Sequence, residues 1–505
     1  MKYITKYIKH SILLLVLLAS GCTDWLDGAL PKDRNLEEKQ FSTEAGINSV
    51  MNGIYRNLAS VNLYGGRLTM TDIELLAHYY FYENAVGINA GYLHFFNMSN
   101  YKYTEKDAGG AFSSIWTNAY QTIFFINTFI KNIEQSEVIS ETKKKILLGE
   151  AHGLRAFIHF DLFRLFSDGK QELPYNRSAE VIPHGAETIN NFYNLLIRDI
   201  DMATELLQND PVRSEGIKDM TSIGTNENVP TTEIFASYLR NYRMNYYAVQ
   251  ALKARILMYK GDVKEASTLA ENVLDQSFGT DKPFNWADKN KILEDGNRDY
   301  IFYTEIMFGI FNPDMYRNWT NWTNGTTLGS TYTVLIDNLQ ENIFKNDNSA
   351  TDMSLWEDVR SRQWMSSKIG NGQYVSCKFE HFEFSKNNPK EYFQPLIRTS
   401  ELHYIIAEAA LREGRVADAV RYLNNLRFMR GSQYGSLPDP EGATATMVYD
   451  ILETEHYKEF YGEGQTFFYL KRMKSDRIFN VAAPGKQAIP PEAYRTPLPE
   501  NEISN

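Results

Sequence analysis

Apolar positions recur at helical spacing over most of this chain. In "KILLGEAHGLRAFIHFDLFRLF", Leu147, Ala151, Leu154, Ile158, Leu162 and Leu165 fall three or four apart, one stripe of an amphipathic helix. Trp116, Tyr120, Ile123 and Ile130 keep one face over 112–133, so Trp116 reads as core. Residues 188–208 and 448–473 also read as helical. A first helix is expected near Thr43, with Ser42 or Thr43 as its N-cap. The segments "ALKARILMYKGDVKEASTLAENVL" (251–274) and "YIIAEAALREGRVADAVRYLNNLR" (404–427) align. Gly261 matches Gly414, Ala254 matches Ala407, Val263 matches Val416 and Ala266 matches Ala419. Each unit is a helix, a glycine turn and a second helix, the arithmetic of a tetratricopeptide-like hairpin. The two copies lie far apart, so the hairpins are expected to surround an inserted segment.

Over 277–398 the pattern changes. "DYIFYTEIMFGIF" (299–311) is rich in Ile, Phe and Tyr and reads as strand. "QYVSCKFEHFEF" (373–384) alternates, with Tyr374, Ser376, Lys378, Glu380, Phe382 and Phe384 on one face. Loops rich in Asn, Thr, Asp and Gly lie between them. A second polar stretch, 209–243, separates the early helices from the first repeat. The expected fold is mostly α: a scaffold of tetratricopeptide-like hairpins with an irregular, loop-rich insert containing a few short strands.

The N-terminus reads as a processed leader. Lys2, Lys6 and Lys9 precede the apolar run "SILLLVLLA", which is too short to cross a bilayer. Leu18, Ala19, Ser20 and Gly21 before Cys22 match a bacterial lipobox, which makes Cys22 the acylated first residue of the mature chain. The expected organisation is a lipoprotein signal peptide (1–21), a lipid-anchored tether (22–42) and a single domain (43–505). That domain divides into helical scaffold (43–276 and 399–473), insert (277–398) and C-terminal tail (474–505). With Cys22 lipidated, Cys377 has no cysteine partner, and stability must come from a large core. The net charge is −11, and loss of the leader's lysines makes it more negative. An acidic chain without a basic stripe is a poor nucleic-acid binder.

No sequence constellation for catalysis stands out: no H-E-x-x-H, G-x-S-x-G, P-loop or dinucleotide glycine pattern is present. His152 and His159 lie on a core helix and read as structural. "DGNRD" (295–299) and "NDNSATD" (346–352) do not fit a calcium loop and read as solvated turns. The expectation is a binding protein that needs neither cofactor nor metal. Aromatics make up 13% of the chain, including 32 Tyr. "MYRNWTNWTNGTTLGS" (315–330) sets Tyr316, Trp319 and Trp322 among Arg317, Asn321 and other polar residues. Flat rings beside amides and a guanidinium suit sugars, which have an apolar CH face and hydroxyl edges. The alternative is that the two Trp pin a long loop onto the helices beneath. "HYYFYENAVGINAGYLHFFN" (78–97) supplies further candidates, Tyr82 and Tyr92.

Four segments, in order, resemble the SusD/RagB family of outer-membrane nutrient-binding lipoproteins. Arg155, Ala156, Phe160, Asp161, Leu162, Arg164, Leu165 and Phe166 match its R-A-x-x-x-F-D-L-x-R-L-F segment. Tyr404, Ala407, Glu408 and Ala409 match its Y-x-x-A-E-A helix. Glu455, Glu459, Phe460, Glu463, Gly464, Leu470 and Arg472 match its last helical motif, and "RTPLPENEISN" matches its ending. His456, Thr466 and Tyr469 stand where the family usually has Arg, Asp and Arg, which puts some structural ion pairs in doubt. The resemblance implies a non-enzymatic, cell-surface, lipid-anchored lid on a SusC-like TonB-dependent transporter barrel of the outer membrane. It implies oligosaccharide ligands most often and peptides in some members. It carries over no ligand residue. A glycoside hydrolase and a purely structural helical scaffold are the remaining readings.

Overall fold

The computed structural model describes residues 32–80, 90–181, 184–217, 239–277, 281–292, 299–315, 317–319, 333–335, 343–344, 357–364, 366–370, 373–376, 378–379, 392–432, 439–480 and 483–499. Helix α1 (Lys32–Phe41) lies within the stretch expected to be tether. It packs on α2 (Glu44–Leu58), and Phe41 meets Phe129 with ring centroids 5.9 Å apart. Half of that stretch is therefore held against the body. Thr43 caps α2 as expected, accepting a hydrogen bond from the Gly46 N–H at 3.1 Å. Cys22 and the leader lie outside the described residues.

A short helix α3 (Asp72–Leu76) and α4 (Ala90–Ser99) lead into two long helices, α5 (Lys106–Glu134) and α6 (Glu141–Phe166). Every residue of α6 from Leu147 onward is buried, not only the expected apolar stripe. The polar groups in that run are satisfied inside the protein. Arg155 donates to Asp199 at 2.6 and 2.7 Å and to Asn127 at 2.8 Å. His159 stacks on Tyr175 with centroids 3.9 Å apart and accepts from the Asn176 N–H, a structural role.

The scaffold continues through α7 (Ile189–Leu206), α8 (Tyr246–Lys260), α9 (Val263–Leu274), α10 (Thr399–Arg412) and α11 (Val416–Met429). The two repeats fold as helical hairpins. Their turn residues Gly261 and Gly414 take φ of 100° and 78°, the left-handed region that glycine enters without a Cβ clash. Helix α9 packs directly on α10, so the two hairpins form one continuous stack although the insert separates them in sequence.

An antiparallel ribbon closes the base of the insert. Strand β1 (Ile306–Phe311) pairs with β5 (Phe393–Arg398) from Ile306↔Arg398 to Phe311↔Phe393. Between them, β2 (Thr333–Leu335), β3 (Ser366–Gly370) and β4 (Gln373–Val375) form a small sheet in the order β2-β4-β3. The first expected strand is shorter than its pattern, because 300–301 are turn and 303–305 are 3₁₀ helix; in the alternating run, strand covers 373–375 and gives way by 376 among the described residues. The reason is burial: Ser376 and Lys378 enter the interior, where Lys378 Nζ donates to Glu463 at 2.6 Å.

The expected helix 448–473 is two helices, α12 (Ala445–Glu459) and α13 (Gln465–Met473). The break at 460–464 turns the chain through Gly462 and Gly464, both at positive φ. A hairpin of β6 (Arg477–Asn480) and β7 (Ala483–Ala488) follows. No described helix is long and apolar enough to cross a membrane.

Candidate functional site

Where the β1–β5 ribbon reaches the surface it ends in exposed chemistry. Phe311 is 46% exposed, and its ring lies 5.6 Å from that of half-buried Tyr392. The chain then makes one tight turn. The Asn312 N–H donates to the Tyr392 carbonyl at 2.7 Å, and the Asp314 N–H donates to Asn312 Oδ1 at 3.2 Å. Arg317 and Asp314, both more than half exposed, pair at 2.8 Å a few residues further along the chain. An exposed ring and an exposed ion pair thus flank the same turn.

Trp319 does not belong to that surface. It is 2% exposed, and it meets Phe379 and Tyr461 edge-on at 5.5 and 6.4 Å. Tyr461 in turn packs against Tyr79 at 5.3 Å and Tyr80 at 6.1 Å, and its hydroxyl bonds that of Tyr80. A chain of rings thus ties the insert to the turn between α12 and α13 and to the segment after α3. Trp319 pins the loop, and its ring is unavailable as a ligand platform. Arg317 is exposed as a ligand contact requires. Tyr316, Asn321, Trp322 and Tyr82 lie outside the described residues. Tyr92 falls within α4, and its side chain lies outside them as well.

A buried ionic frame holds the base of the ribbon. Arg430 pairs with Glu305 at 2.6 and 2.7 Å and with Glu459 at 2.6 Å. Arg398 bonds Glu459 at 2.5 Å and Glu463 at 2.9 Å. Arg360 bonds Asp358, Glu455 and Glu459 at 2.6, 2.7 and 2.9 Å. Burial pushes the Glu459 carboxyl up, but Arg430, Arg398 and Arg360 outweigh it and hold it well below the usual range. These carboxylates are saturated by guanidinium and so cannot serve as an acid–base pair. Among the described residues no cluster of three or more His, Cys, Asp or Glu could hold a metal ion.

Phe311 and Tyr392 escape a reading from sequence. Phe311 ends an apolar run that reads as core throughout, and only its terminal place on an alternating strand signals that it faces out. Tyr392 stands in a polar stretch with no neighbour to mark it.

A family model described as the SusD family matches residues 207–498, more than half of the chain. The chain belongs to the SusD family. A related model, described as starch-binding and associating with the outer membrane, matches residues 24–219. The SusD-like protein P2 of Formosa agariphila is 23% identical, over 99% of this chain and 97% of its own length. A SusD superfamily protein of Bacteroides thetaiotaomicron superposes with a TM-score of 0.63 at 19% identity, covering 92% of this chain and 98% of its own. A SusD-like carbohydrate-binding protein of Bacteroides vulgatus gives 0.62 at 16% identity, with 92% and 96% covered. These structures share the mostly helical fold. The three positions that depart from the SusD-family motif touch one another here. His456 stacks on Tyr469 with centroids 3.8 Å apart, and Thr466 Oγ1 donates to the His456 carbonyl at 3.2 Å. A ring stack thus stands where charged partners were expected.

Proposed function

We propose that this chain captures nutrient oligosaccharides at the cell surface and delivers them to a TonB-dependent outer-membrane transporter, on which it acts as a lid. Acylated Cys22 anchors it to the outer membrane. The observation that carries the reading is the surface ring pair of exposed Phe311 and half-buried Tyr392, with the exposed Arg317–Asp314 pair just along the chain, on a SusD-family scaffold. A pyranose stacks its CH face on such rings, and the guanidinium and carboxylate bond its hydroxyls. Tyr316, Asn321 and Trp322 in the same stretch, with Tyr82 and Tyr92, complete the proposed ligand set. Binding occurs without turnover.

Electrophoresis of the purified mature protein through gels containing starch, β-glucan, xylan or mannan tests this. Retardation by at least one polysaccharide is expected, weakened in Phe311→Ala and Tyr392→Ala. Free mobility in every glycan, with saturable binding to a peptide library, would replace sugar by peptide. Release of sugar from the retained polysaccharide would make the protein a hydrolase instead.

A further inference from the structure

A second surface has the makings of a binding site. Helices α1, α2 and α5 enclose an open groove of about 700 Å³, within the roughly 300–1,000 Å³ of small-ligand sites. Phe41, Phe124 and Phe125 give it an aromatic side, and Phe125 is 36% exposed. Several polar side chains that share the groove are unengaged. Gln40, Arg56 and Asn57 line it, and none makes a side-chain hydrogen bond or ion pair to another described residue.

Thr128 is the most telling of these groups. Along α5, Ser113, Ser114 and Thr122 each donate their hydroxyl to the carbonyl four residues back, at 2.8 to 3.0 Å. The Thr128 hydroxyl is buried and has no hydrogen-bond partner among the described residues. A buried polar group left unpaired costs about 1–3 kcal/mol, and a rotation of the Thr128 side chain into the groove it lines would let a ligand hydroxyl remove that cost. An apolar partner, whether an acyl chain or a hydrophobic helix, would instead bury further amide and guanidinium groups without partners. The carboxylate in the lining, Glu37, is already bonded by Asn132 at 2.7 Å. The groove therefore asks for a ligand with an apolar face and several hydroxyls.

We infer that this groove is a second oligosaccharide site, separate from the Phe311–Tyr392 surface and assembled wholly on the helical scaffold. The inference rests on the glycan-binding reading above. A chain with two sites on different elements holds a polysaccharide bivalently, raising its effective affinity for long glycans over short ones.

Isothermal titration with hexasaccharides from the polysaccharide that retards the protein, combined with hydrogen–deuterium exchange, separates the two claims. Added hexasaccharide is expected to protect amides of 47–58 and 121–130 as well as those near 306–312. Phe125→Ala and Asn57→Ala should each weaken the groove step at least about fivefold, as truncation of a buried anchor contact does, and leave the insert step unchanged. Phe311→Ala should do the reverse. Hexasaccharide binding that is abolished by Phe311→Ala and untouched by both groove variants would overturn the second site alone. Failure of every glycan to bind wild-type protein would overturn both readings. Protection of the groove amides by a fatty acid, and by no sugar, would assign it to lipid and likewise overturn the inference.

Discussion

At the scale of single residues, exposure separates two aromatic side chains that lie eight positions apart. Phe311 presents nearly half its surface to solvent, whereas Trp319 is enclosed by Phe379 and Tyr461. Trp319→Ala removes a large buried ring and leaves a cavity, and truncations of that kind cost about 3–5 kcal/mol. Urea denaturation should show that loss, and Phe311→Ala should stay within about 0.5 kcal/mol of wild type. Equal losses in both variants would mean that the Phe311 ring is packed and not free for ligand. Glu459 shows the same logic for charge. It bonds Arg360, Arg398 and Arg430 with all four groups buried. Glu459→Gln leaves guanidinium groups buried and underpaired, at a cost of about 3–5 kcal/mol. A midpoint shifted by less than about 1 kcal/mol would show that solvent or rearranged carboxylates neutralise the site.

At the scale of elements, the repeat turns test whether backbone conformation alone terminates the helices. A Cβ on Gly261 would meet nothing within 4 Å, so Gly261→Ala probes only the cost of φ near 100°. About 1 kcal/mol of destabilisation is expected in urea melts. No change would mean that the turn relaxes at no cost. These hairpins were legible in the sequence because a glycine between two periodic segments is a local signal. The long helices were legible for the same reason, and so was the Thr43 cap. Features set by distant partners were not. The break after Glu459 depends on Gly462 and Gly464, which sit in a stretch whose periodicity runs on past them. The pairing of β1 with β5 joins segments separated by the whole insert. The sequence leaves Trp319 open between ligand platform and loop pin, because its own neighbours are polar and its packing partners Phe379 and Tyr461 lie far along the chain. The proposed platform draws only partly on sequence: the stretch and Arg317 are candidates from the residues themselves, whereas Phe311 and Tyr392 enter as candidates only through their exposure and ring contact in the fold.

At the scale of the whole molecule, the buried imidazoles set the acid limit of the fold. Burial lowers His78, His403 and His456 to about 4 and His159 to about 3, because the interior disfavours imidazolium. In the unfolded chain these groups titrate near 6.5. Between about pH 6.5 and 4 the unfolded state therefore binds more protons than the native state. Stability rises with pH across that window and is lost as pH falls. Each imidazole contributes about 3–5 kcal/mol when its full shift is traversed. Two carboxyls oppose them. Burial raises Glu453 to about 6 and pushes Glu74 up as well, so their neutral forms favour the fold as pH drops. Four imidazoles against two carboxyls leave the net slope positive. Urea midpoints measured at intervals from pH 7 to 4.5 should fall steadily below about 6.5. His456→Phe keeps a ring against Tyr469 and removes one titrating group, so its curve should be shallower than that of wild type. A wild-type midpoint that is flat or rising from pH 6.5 to 5.5 would mean that protonation of Glu74 and Glu453 outweighs that of the imidazoles in this window, and that the imidazoles do not set the acid limit of this fold.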